Sequence, residues 1–220
     1  MKLAFRLAAY GTSLILLFGG LVALAQYLPN GLRLAVATEL APTLGTSEFS
    51  PVEWLQLAFL AVIVATAWQS VRWEPRQKPL GLLLGAIALA AFVRELDLFL
   101  DRYVADNTWQ VIIGTLGAVV IAYEVTERQT LLREYRRTMP SVGLVLIFIG
   151  ITVVVGVATA IGAEALWVSL LGDHYARVAK VAAEELVELL GYFLWTAGQF
   201  EFALECRARQ SLADGRRRSS

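Results

Sequence analysis

Apolar residues run along this chain in long blocks, without the spacing of an amphipathic surface helix or the alternation of a half-buried strand. A bilayer core about 30 Å thick is crossed by about 20 helical residues rising about 1.5 Å each. Six blocks reach that length, at 7–27, 52–71, 80–100, 109–125, 142–163 and 176–204. The pattern predicts an all-α membrane protein, a six-transmembrane-helix bundle forming one domain over 1–205. Residues 206–220 are basic and poor in apolar positions, so a disordered cytoplasmic tail is expected there. Connectors are short apart from 28–51, in which 32–40 is apolar enough to lie as an interfacial helix.

Local signals mark the helix ends. Ser50-Pro51-Val52-Glu53 reads as a capping box with proline at the first helical position. Pro75 and Pro79 bracket the turn between the second and third spans, and Pro140 separates the fourth from the fifth. Glu124 to Arg137 reads as a helical extension of the fourth span. Gly81, Gly85, Ala86 and Ala90 give the third span the small-residue spacing that lets backbones approach in lipid.

Charge gives the orientation. With the N-terminus inside, fourteen of the nineteen Lys and Arg residues fall on the inner side and three on the outer; Arg94 and Lys180 lie within spans. The positive-inside rule then places both termini in the cytoplasm, in agreement with an even number of spans. Lys2, Arg6, the apolar run and Ala23-Leu24-Ala25 also fit a cleavable signal peptide, which would leave five spans and an outer N-terminus. The length of that run favours a retained helix.

Composition narrows the function. Apolar residues make up 57% and charged ones 17%, against about 45–50% and about 25% in soluble domains. One Cys excludes a disulfide framework, one His excludes a multi-histidine zinc or haem site, and nineteen basic residues against nineteen acidic ones give no basis for binding nucleic acid. Gly-x-Ser-x-Gly, P-loop and paired Glu-x-x-His patterns do not occur. Asp173-His174-Tyr175-Ala176-Arg177 resembles the start of the CDP-alcohol phosphotransferase motif, one residue short and without its downstream Gly and paired Asp. No nucleophile–base pair is visible, so a protein that is not an enzyme is the expectation.

The chemistry lies in charges placed where lipid penalises them, by about 2.5–3.5 kcal/mol each at the bilayer centre on insertion scales. The third span carries Arg94, Glu95, Asp97 and Asp101; the sixth carries Lys180, Glu184, Glu185 and Glu188. At about 100° per residue Lys180, Glu184 and Glu188 share one stripe with Tyr192, Trp195 and Gln199, while Arg94, Asp97 and Asp101 share a face of the third helix. Both sets fall in the outer half and are expected to meet. Five carboxylates against two cations cannot all ionise in low dielectric, so either some carry protons or a cation supplies the missing charge. Glu184, Glu188, Glu185, Glu95 and Asp97 are therefore candidate proton or cation ligands, and Arg94 and Lys180 candidate charge-tuning residues. Asp101, Asp173 and His174 are candidate ligands at the mouth. A mainly oxygen ligand set favours Mg²⁺, Mn²⁺ or Ca²⁺ and excludes haem. The competing expectation is a structural or accessory subunit whose buried charges specify helix pairing, with a membrane-protein partner or a second copy.

Phe92-Val93-Arg94-Glu95-Leu96-Asp97, together with the run from Val178 to Tyr192, resembles uncharacterised six-span proteins of bacterial inner membranes. The resemblance implies that location and brings no activity or catalytic residue with it.

Overall fold

The computed structural model describes residues 3–27, 50–139 and 141–218, and their side chains except those of 98 and 213–218. The predicted interfacial helix 32–40 and Pro140 lie outside the described residues. Among the described residues the chain is helical with no strand: α1 (Leu3–Tyr27), α2 (Pro51–Trp73), α3 (Lys78–Arg94), α4 (Asp97–Tyr103), α5 (Thr108–Thr126), α6 (Arg128–Thr138), α7 (Val142–Thr152), a π-helical Val153–Ala158, α8 (Thr159–Ile161), α9 (Glu164–Leu171) and α10 (Arg177–Arg218). Among the described residues five segments are long and apolar enough to cross a membrane: Leu3–Tyr27, Pro51–Trp73, Pro75–Arg94, Thr108–Thr126 and Val142–Ile161.

The helix starts follow from short-range chemistry. Ser50 Oγ accepts from the Glu53 N–H at 3.2 Å while Glu53 Oε2 accepts from the Ser50 N–H at 3.0 Å, the capping box expected before α2. Ser141 caps α7 through its side chain, its Oγ accepting from the Leu144 N–H at 3.1 Å. Pro75 opens a single 3-10 turn, Pro75–Gln77, that leads directly into α3.

The sixth predicted span is part of something longer. α10 has 42 residues, about 63 Å of helix, and it packs against α7 and α2. It is not among the five apolar spans, because carboxylates recur along it from Glu184 to Glu205. The expected disordered tail is corrected as well: residues 206–218 continue this helix.

The closest packing lies between α7 and α10, where two glycines seven residues apart on each helix face one another. A Cβ on Gly143 would stand 2.6 Å from the Phe202 nitrogen, and one on Gly150 would stand 2.5 Å from the Trp195 nitrogen. From the other side, Cβ atoms on Gly191 and Gly198 would meet the backbone of α7 at Gly150 and Ile147. Small residues on α3 do the same less tightly: Gly81 and Gly85 rest on Val71 and Ala67 of α2. Around these contacts Leu60, Ile63, Leu84, Leu144, Ile147 and Phe202 form the buried core.

Three expectations change at the ends of the spans. The predicted third span is not one helix: α3 ends at Arg94, Glu95 and Leu96 form a turn, and α4 starts afresh at Asp97. The fourth span does not extend to Arg137, since α5 stops at Thr126 and α6 is a separate helix. α6 is fixed from another part of the chain, where buried Gln77 donates to Glu134 at 2.9 Å and to Thr138 at 3.0 Å. The fifth span holds as one helical segment, Val142–Ile161, that loosens to a π-helix over Val153–Ala158, and a short helix, α9, fills part of the connector before α10.

Candidate functional site

The break after α3 places Glu95 at the edge of the bundle core. Its Oε1 accepts from the Tyr192 hydroxyl at 2.8 Å, across to α10. One turn earlier on α10, Glu188 is 6% exposed and has no hydrogen bond or ion pair among the described residues. Glu185 is half-buried and turned to α2, where Gln56 Nε2 donates to its Oε2 at 2.8 Å and to its carbonyl at 3.1 Å. Glu184 lies over Gly162, its carboxylate occupying the space a Cβ there would need. Four of the five candidate ligands thus sit on or beside the N-terminal half of α10, held by α2, the α3 break and the end of the fifth span.

The remaining candidates divide. Arg94 is exposed, with Glu95, Glu188, Tyr192 and Asp97 around it. It makes no ion pair within 4 Å with Glu184 or Glu188 among the described residues. Asp97 is half-buried and begins α4, so Arg94, Asp97 and Asp101 do not share a continuous helix face as expected. Asp101 is engaged with backbone, its Oδ1 accepting from the Asn107 N–H at 2.9 Å. That bond holds Asn107 in the left-handed conformation (φ 65°) from which α5 starts. Lys180 is half-buried one turn before Glu184. Asp173 and His174 are exposed on the 3-10 turn Gly172–His174, and no hydrogen bond or ion pair joins them to the carboxylates among the described residues. Also among the described residues, no three acidic, His or Cys side chains gather closely enough to hold a metal ion.

Some polar partners were not anticipated. Gln56 is fully buried, and an amide near the start of an apolar span was the signal available for it. Further along α10, Glu201 is 1% exposed and takes Arg6 Nη2 at 3.0 Å and the Tyr10 hydroxyl at 2.9 Å, both from α1. Between the two ends lie Trp195, whose Nε1 has no hydrogen-bond partner among the described residues, and Gln199, fully buried with neither amide atom partnered among them. Polar groups therefore recur along most of α10, which sequence periodicity suggests only as far as Gln199.

What the fold and this site define is a class: a helical protein with several segments long and apolar enough to cross a membrane, and a carboxylate cluster near the N-terminal end of α10. No family model matches the chain, and no curated protein and no solved structure matches it either.

Proposed function

We propose that this is a six-span protein of a bacterial inner membrane, with both termini cytoplasmic and α10 as its sixth span, that binds and releases a proton at an outward-facing carboxylate cluster. The observation that carries the reading is Glu188: a carboxyl group almost removed from solvent, without a hydrogen-bond partner among the described residues, beside Glu95, Glu184 and Glu185 and with Arg94 as the nearby cation. Four carboxylates so placed cannot all hold negative charge in low dielectric, and a proton relieves them without any movement. A divalent ion would need several of them to converge first, so the proton is the cation this geometry favours. Tyr192 holds Glu95 in place through its hydroxyl, and Gln56 does the same for Glu185. Trp195 and Gln199 fill the next two turns as packed side chains, which favours a binding or sensing site over a pore.

The test is infrared spectroscopy of the purified protein during acidification, with Glu188→Gln beside it. The proton reading expects a protonated-carboxyl band that titrates in the parent and is missing from the folded variant. A parent without such a band, whose melting temperature rises on adding Mg²⁺, Mn²⁺ or Ca²⁺, would replace the proton with a divalent ion. If neither response occurs and Glu188→Gln only alters melting, the carboxylates are helix-pairing elements of a structural subunit.

A further inference from the structure

α2, α3 and α5 leave a groove of about 430 Å³ whose walls are almost wholly apolar, among them Leu82, Leu89, Leu116 and Val120. Gly81 and Gly85 form part of the groove, and their close fit on Val71 and Ala67 holds α3 against α2 along it. From Lys78 to Leu89 the groove follows eleven residue steps of α3, about 17 Å of helix, close to the hydrocarbon depth of one leaflet at half of about 30 Å.

One end of it is cationic. Lys78 Nζ stands 5.6 Å from the Tyr123 ring centroid and Arg72 Cζ stands 5.3 Å from that of Trp68, and both rings line the groove. Each cation is exposed and held by an aromatic face rather than by a carboxylate. Glu124 and Glu127 lie near Tyr123, but segments 72–78 and 124–137, which meet at this end, carry seven Lys or Arg residues against four Glu. Glu134, on α6, is taken up by Gln77, Arg133 and Arg137, and so does not neutralise this end. A cavity one leaflet long, apolar along its length and positive at its mouth, is complementary to a single amphiphile with a negative head.

We propose that this groove binds one acyl chain of an anionic phospholipid, with the lipid's phosphate held by Lys78 and Arg72. The site lies apart from the carboxylate cluster, and its failure would leave the proton reading untouched. A second copy of the chain is the other occupant of the right shape, but an apolar helix would leave both cations unanswered. In native mass spectrometry of protein released from mixed phosphatidylglycerol and phosphatidylcholine, phosphatidylglycerol stays bound selectively. At about 1 kcal/mol for each basic residue near an anionic surface, Lys78→Ala with Arg72→Ala weakens phosphatidylglycerol by roughly thirtyfold while phosphatidylcholine hardly changes. Ala86→Phe, which fills the groove, lowers retention of both lipids, with circular dichroism and melting reporting that each variant is folded. Equal retention of the two lipids by the parent, or retention unmoved by both sets of substitutions, overturns the proposal. So does a dimer that Ala86→Phe dissociates without changing bound lipid.

Discussion

Gln199 shows how a buried side chain constrains what the molecule can be doing. Its amide sits fully inside the bundle with neither atom partnered among the described residues, and a buried polar group without a hydrogen bond costs about 1–3 kcal/mol. Leucine has nearly the same shape and no such cost, so Gln199→Leu is expected to raise the melting temperature of the detergent-solubilised protein by a few degrees. A fall would show that the amide has a partner in the native protein. Glu188 and Glu201 differ in the same instructive way. Both are buried carboxylates on one helix, yet Arg6 and Tyr10 satisfy Glu201 while Glu188 has no such partner, and only the latter is suited to exchange a proton.

Among the helices, the α7–α10 contact is set by glycine. At Gly150 a methyl group would stand 2.5 Å from the Trp195 nitrogen, and nothing there is a flexible side-chain end that can give way. Gly150→Ala must separate the two helices and is expected to cost about 1–3 kcal/mol, as overpacking does. Gly117, on α5, has nothing within 4 Å of its Cβ position. Gly117→Ala is therefore expected to be neutral or to stabilise by up to about 1 kcal/mol through helix propensity. Thermal unfolding of the two variants side by side checks both; equal effects would mean that α7 and α10 do not approach this closely. The small residues of α3 are visible from their four-residue spacing, whereas the paired glycines of α7 and α10 are seven apart on two helices far separated in sequence. Their importance depends on the two helices facing each other, which no local pattern contains. The break at Glu95 is likewise invisible, since Leu96, Leu98 and Leu100 prolong the apolar run across it.

For the whole molecule, the proposed topology places the C-terminus inside and the α4–α5 connection outside. A fluorescent reporter fused after Ser220 should fold and glow, and a phosphatase that is active only outside the cytoplasm should work when inserted at Ala105. Inverted activities would reverse the membrane orientation and turn the carboxylate cluster to the cytoplasm. The whole-molecule view also shows why α10 needs its neighbours. It is too rich in carboxylates to be counted with the apolar spans, and it lies within the bundle because α2, α7 and α1 supply Gln56, close backbone packing and Arg6 with Tyr10.

Hydrophobic run length, capping chemistry and the distribution of Lys and Arg are properties of neighbouring residues along the chain. For that reason the helical class, the first five of the six expected spans in outline, the Ser50 cap and the presence of ionisable groups on the third and sixth blocks were readable from the sequence alone. Which of those groups meet depends on contacts between segments about a hundred or more residues apart. Tyr192 on Glu95, Gln56 on Glu185, and Arg6 with Tyr10 on Glu201 exist only once the helices are packed. The same packing left Asp173 and His174 outside the cluster, and α10 runs on to Arg218, past its expected end at 204; the sequence states which side chains are charged, but only packing brings distant ones within hydrogen-bond reach.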